Sequence, residues 1–238
     1  MKPYSFFLLI LILNFTILTC DKSVSTGGLK PAPVVFVAKN ADTSLKERGI
    51  DAVPDGDIVR LEWRENTEEI VDKYKVYRLE EEAVKYSLVS VTADTIFEDN
   101  DVITHKRYYY YVLAETDEGV TSDPSDTLNY LLLQKAVLLA PDSTVNTAQP
   151  TFKWRDPNDP SYDPYIIRVV NADSNKTIWI SEISSTYSEQ EETIFNADSE
   201  ATVSQLTPEV NYIWRIDIVG NERSGSESNW KPIMFRGE

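Results

Sequence analysis

Trp63 and Tyr74 stand eleven residues apart, and so do Trp154 and Tyr165. Further along, Val102 precedes Tyr108 by six residues, and Leu206 precedes Tyr212 by six. The first Trp lies in IVRLEWRE (58–65) and the second in QPTFKWRD (149–156); the paired tyrosines open YKVYRL and YIIRVV. Spacings that recur in this way mean two copies of one structural plan, which rules out most single-domain folds at once.

The plan is one of strands. After each later tyrosine the chain alternates: Tyr108, Tyr110, Val112 and Ala114 in the first copy, Tyr212, Trp214, Ile216 and Ile218 in the second. Period-two alternation of aromatic and β-branched residues marks half-buried strands. Asp117-Glu118-Gly119 and Gly220-Asn221-Glu222 break the two runs. No long stretch has a period near 3.6, so the expected class is all-β.

Trp on the second strand, Tyr opening the third and Leu-x5-Tyr at the turn into the sixth resemble two fibronectin type III domains. RYYYYVLAETDEGVTSDPS (107–125) is similar to that family's spelling of the sixth strand, loop and seventh strand. The resemblance implies two tandem immunoglobulin-like β-sandwiches, over residues 31–133 and 134–238, following a lipoprotein signal peptide. Trp63 and Trp154 are then expected in mid-core, where they fill volume that a disulfide fills in other sandwiches. Tyr108 and Tyr212 are expected to send their hydroxyls to backbone near the preceding turn. In the second copy thirteen more residues separate Trp from the later Tyr, and the surplus is expected in Ser181–Ala201. The pairing of its middle strands is left open by that insertion. Between the copies, Leu131, Leu132, Leu133, Val137, Leu138 and Leu139 form an apolar junction, which predicts a rigid tandem and not a flexible linker.

Stability must come from burial, because the chain has a single cysteine and forms no internal disulfide. It carries 23 Lys and Arg against 39 Asp and Glu, a net charge of −16. That balance argues against nucleic acid as a partner, since nothing would neutralise phosphates. It also makes an anionic bilayer repel the sandwiches.

The one cysteine is placed where it gives an address. Lys2 supplies a short positive segment, and Phe6–Leu18 is an apolar run of thirteen residues. As a helix at about 1.5 Å per residue it reaches about 20 Å, short of the roughly 30 Å of a hydrocarbon core. It reads as a cleaved signal, residues 1–19. Cys20, after Ile17-Leu18-Thr19, resembles a bacterial lipobox, with Thr19 where a smaller residue is usual. The resemblance implies lipidation of Cys20 and a polar tether over 20–30, several acyl chains giving the stable anchoring that one does not. A secreted protein with a free thiol is the alternative.

The candidates for chemistry are few. His105, the sole histidine, sits in the turn before Tyr108, and no nucleophile motif accompanies it. One His and one Cys are too few for a zinc site of that type. Asp156, Asp159 and Asp163 share the loop RDPNDPSYDP; calcium there would need more oxygens and a glycine turn, and the prolines explain a stiff loop by themselves. Arg223-Ser224-Gly225 occupies the loop before the last strand without being an Arg-Gly-Asp tripeptide. Asn175-Lys176-Thr177 spells a glycosylation sequon. Trp179, Trp230, Tyr162 and Tyr187 are the candidate ligand-binding aromatics, as a platform for sugar rings; the competing explanation is cross-strand pairing inside the sheet. The alternation in IWIS (178–181) places Trp179 and Ser181 on the face opposite Ile178 and Ile180.

The expectation is therefore a non-enzymatic cell-envelope lipoprotein, a binding or scaffold module held at a bacterial membrane, the outer one, by its lipid. An accessory carbohydrate-capture protein is the alternative. No catalytic residue, cofactor or metal is expected, and the partner is a protein or glycan.

Overall fold

Inward-facing residues at every second position make strands, and strands are what form. The computed structural model describes residues 28–44, 49–68 and 70–237. The signal segment, Cys20 and most of the tether lie outside the described residues, and among those described there is no helix.

The first sandwich sets one three-stranded sheet against one four-stranded sheet. The smaller sheet is β1 (Ile50–Ala52), β2 (Val59–Glu62) and β5 (Ile96–Asp99), in that order. The larger runs β4 (Ser87–Thr92), β3 (Val71–Glu80), β6 (Arg107–Thr116), β7 (Leu128–Leu132). The second sandwich repeats the plan. β8 (Val137–Ala140), β10 (Thr151–Arg155) and β13 (Glu191–Ile194) form its small sheet. β12 (Lys176–Ile183), β11 (Tyr165–Asn171), β14 (Asn211–Gly220) and a last strand split into β15 (Ser224–Glu227) and β16 (Lys231–Phe235) form its large one. β9 (Ser143–Val145) adds in parallel to β16. The arrangement is the fibronectin type III one that the resemblance implies.

The cores are those the alternation marks. Trp63 and Trp154 are 2% and 0% exposed, each edge-on to its paired tyrosine, Tyr74 and Tyr165. Both corner tyrosines perform as expected: the Tyr108 hydroxyl accepts the backbone N–H of Ile103, and that of Tyr212 accepts the N–H of Thr207, each at 3.1 Å. Serines repair the ladder where the seventh strand of each sandwich bends. Ala114 and Val112 donate to the hydroxyls of Ser122 and Ser125 at 2.9 Å, and Ile216 donates to that of Ser228 at 3.0 Å.

The surplus of the second sandwich does not fall wholly in Ser181–Ala201. It is divided between the connection 184–190, longer than its counterpart 93–95, and the connection 195–210, longer than 100–106. The second of these drops Phe195 and Leu206 into the core, so the added chain is anchored by burial. β13 pairs with β10 just as β5 pairs with β2, which closes the question of the middle strands.

Candidate binding cleft between the sandwiches

The junction is a continuous sheet. β15 lies parallel to β7, with Ser224 opposite Leu131 and Gly225 opposite Leu132. Leu131 donates its N–H to the Arg223 carbonyl at 3.1 Å, and Leu133 donates to that of Gly225 at 2.9 Å. Glycine is needed at this crossing: a Cβ on Gly225 would stand 2.8 Å from the Ile218 carbonyl oxygen and 2.9 Å from the Tyr130 hydroxyl. The Arg223-Ser224-Gly225 loop is thus docked on the first sandwich, and Arg107 donates to the carbonyl of Glu222 beside it at 2.7 Å.

A buried charge network lies under this seam. Arg168 on β11 and Arg215 and Asp217 on β14 project from the face of the second large sheet that turns away from its own core. Arg168 donates Nε to Asp217 Oδ2 at 2.6 Å and its Nη atoms to the carbonyls of Ser44 and Asp42 in the first sandwich. Arg215 grips both oxygens of Glu227, at 2.6 and 2.7 Å, and Nη2 reaches Asp217 as well. From the other side, Tyr130 donates its hydroxyl to Asp51 Oδ1 at 3.0 Å. Burial, then the Asp51 carboxylate, pushes the Tyr130 hydroxyl well above its ordinary range. Burial and the neighbouring Asp217 push Glu227 up to about 8, against the pull of Arg215. Lys135, at the crossover, caps the carbonyls of Val53 and Pro54, both at 2.8 Å.

Beside the network the two sandwiches part to leave a cleft of about 640 Å³. Its first wall is the outer face of the small sheet, with Arg60, Glu62 and Glu98, and the loop at Val53–Asp55. Its second wall is the large sheet of the other sandwich, with Val170, Thr177 and Arg215, and Trp230 at its edge. A cavity of this size at a domain boundary is where binding sites commonly form.

The four aromatics singled out from sequence do not come together. Trp179 is 1% exposed in the second core, edge-on to Phe195, with its indole N–H donated to Asp198 at 2.9 Å. The alternation fails there because β12 has a bulge: Val169 faces Trp179 and Val170 faces Thr177, so Ile178 is the extra residue and both it and Trp179 turn inward. Ser181 is buried as well. Tyr162 packs against the core, and Tyr187 stands 69% exposed, alone in the 184–190 connection. Trp230 alone lines the cleft, its ring 4.8 Å from the Arg215 guanidinium.

The other candidates are accounted for locally. Asp156 staples its own loop, accepting from the backbone of Asn158 and Tyr162, while Asp163 accepts from Ser185. Among the described residues no group of three or more His, Cys, Asp and Glu side chains is placed to hold a metal ion. His105 is exposed in its turn with a positive φ of 61°, its N–H donated to Leu132. Asn175 is exposed at the β11–β12 turn, beside the cleft.

Sequence reasoning missed the cleft and the network. The available signal was Arg168, Arg215 and Asp217, ionisable residues at alternate positions of otherwise apolar strands.

No family model matches the chain, and no curated protein does. Among solved structures it is similar to the FN1-FN3 domains of chicken CNTN1, at 14% identity over 87% of this chain and 69% of that one, with a TM-score of 0.38. It is similar also to a segment of two fibronectin type III domains from chicken tenascin, at 15% identity over 77% of this chain and 94% of that one, TM-score 0.28. A third similarity is to the twitchin kinase region of C. elegans, at 18% identity and a TM-score of 0.34; it covers 44% of this chain and only 17% of the other.

Proposed function

We propose that this protein is a non-enzymatic binding module of a bacterial cell envelope, anchored by lipid on Cys20, in which two sandwiches act as one rigid body. The observation that carries the reading is the β7–β15 seam. Two domains that only had to be spaced apart would need a linker; these share a sheet, and Arg168 of the second donates to the Ser44 and Asp42 carbonyls of the first. Fixing their angle preserves a composite surface, the cleft, that neither sandwich has alone. The outer membrane is the proposed site of anchoring, and the net charge of −16 leaves the lipid to do the holding.

The carbohydrate-capture reading is the weaker one, because Trp179 and Tyr162 serve the core and leave Trp230 without a second ring to form a platform.

The test is fractionation and protease accessibility of intact cells, wild type beside Cys20→Ala, with a periplasmic protein as control. Wild type is expected in the membrane fraction and Cys20→Ala in the soluble one. Equal fractionation of the two overturns the anchor.

A further inference from the structure

The cleft can be read by asking which of its polar groups are still free to take a ligand. Its three guanidiniums are each engaged with acceptors of the protein. Arg168 and Arg215 are held by Asp217, Glu227 and backbone carbonyls. Arg60 puts both Nε and Nη2 on Glu98 Oε1, at 2.8 and 2.5 Å. Acceptors remain. Glu98 keeps its second carboxylate oxygen, and the carboxylates of Asp55 and Glu62 line the cleft without a hydrogen bond or ion pair among the described residues. A further observation is independent of these surface groups. Asp51, only 8% exposed, also lines the cleft, and its Oδ2 is buried with no hydrogen-bond partner. An unpaired buried acceptor is destabilising, so its retention needs a reason.

The rest of the lining is apolar: Ala52, Pro54, Ile58 and Val170, with Trp230 at the edge. Free acceptors above an aliphatic floor suit a donor-rich, positively charged head on an apolar stem. They suit an anion less, since it would face the carboxylates of Asp51, Asp55, Glu62 and Glu98 with the guanidiniums already engaged on acceptors. An indole face adds attraction for a cation, and a net charge of −16 draws cations in from a distance.

We infer that the cleft is a binding site for a cationic group, an ammonium or guanidinium on a short alkyl stem, supplied by a Lys or Arg side chain of a protein partner or by a free amine. The inference rests on the reading of the protein as a binding module and names what it binds. Glu62 and Asp55 take the charge at the mouth, and the stem lies along Ile58 and Val170.

Trp230 provides the readout, since the other four tryptophans are each no more than 2% exposed. The full chain in detergent is titrated with acetyl-Gly-Lys-Gly-amide, with the same peptide carrying norleucine for lysine, with cadaverine and with chitotetraose, following tryptophan emission. Saturable change is expected with the lysine peptide or cadaverine, and none with norleucine. Response to the peptide alone identifies a protein segment as the natural source; response to cadaverine alone identifies a free amine. The pair Asp55→Asn/Glu62→Gln is expected to weaken binding at least tenfold, and Trp230→Phe to abolish the signal. As a control for general acidity, Asp117→Asn/Glu118→Gln at a distant turn should change affinity less than twofold. Equal weakening by both pairs overturns the inference, as does silence with both amines, or saturation with chitotetraose alone. Each of those results leaves the anchor test untouched, so the two readings fail separately. All side chains replaced are solvent-exposed or half-exposed, and an unchanged melting temperature confirms that the variants fold.

Discussion

Arg215 closes on Glu227 with two parallel hydrogen bonds, 2.6 and 2.7 Å long, and both residues are less than a tenth exposed. A pair so placed is held by the first sandwich covering the second, because neither side chain faces its own core. Where the carboxyl is ionised, above the pH at which it titrates in the folded chain, truncating Glu227 to Ala would leave Arg215 buried with only Asp217, and breaking such a pair costs about 3–5 kcal/mol. The expected result is a fall of that size in denaturant unfolding, with Glu227→Gln losing less because the carbonyl of the amide still accepts.

The same carboxyl makes stability fall with rising pH. Its folded pKa is raised to about 8 by burial and by Asp217, above its ordinary value of 4.5. Between those values the unfolded chain releases a proton that the folded chain keeps. The stabilisation from Glu227 is therefore complete below the ordinary value and is lost as pH rises through the folded one, with a limiting slope of about 1.4 kcal/mol per pH unit. Arg215, Arg168, Asp217 and Asp51 face the same site. Unfolding measured from pH 5 to pH 8.5 should show the decline in wild type and a flatter curve in Glu227→Gln.

Each corner tyrosine can be tested by removing one oxygen. Tyr108→Phe leaves the Ile103 N–H unpaired, and Tyr212→Phe does the same to Thr207, while the rings stay buried. Ile103 and Thr207 are exposed, so water can take the freed N–H, and the expected cost is that of one ordinary hydrogen bond, about 0.5–1.5 kcal/mol in each case. Hydrogen exchange at the two amides supplies the second reading: in each variant the freed amide should exchange faster than in wild type.

The two Trp positions answer to packing alone. Trp63→Ala and Trp154→Ala should each cost about 3–5 kcal/mol through the cavity left behind. Differential scanning calorimetry gives the check, and a loss under 1 kcal/mol at Trp154, which is fully buried, would contradict the placement.

How legible was this in the sequence? Trp63, Trp154, Tyr108 and Tyr212 were readable because each has one partner set by short-range spacing, and alternation tells which face it takes. Trp179 was misplaced among the exposed candidates since a single bulged residue, Ile178, shifts the phase, and a bulge has no spelling of its own. The seam was hidden for a different reason. Arg168, Arg215 and Asp217 alternate with core residues just as solvent-facing residues do, and a one-dimensional pattern does not record that another sandwich covers them. The apolar junction at Leu131–Leu139 did imply rigidity, but the parallel pairing that delivers it joins residues 131 and 224, far apart in the chain.

Rigidity itself turns on Gly225. Any side chain there meets the Ile218 carbonyl and the Tyr130 hydroxyl at under 3 Å, and the first is backbone that has nowhere to go. Gly225→Val should therefore prise β15 from β7, losing the Leu131 and Leu133 hydrogen bonds. Arg107 would lose the Glu222 carbonyl in the same movement. Small-angle scattering is expected to show a larger radius of gyration and a broader distance distribution than wild type, with far-ultraviolet circular dichroism unchanged. Limited proteolysis should then cut at Gln134–Ala136, which the seam shields in wild type by holding Gln134 to Asn158 and Ser226. A variant that scatters like wild type and resists cleavage would mean that the sandwiches are fixed by the hydrogen bonds from Arg168 and Lys135 to carbonyls of the first sandwich, and that the shared sheet is incidental to their angle.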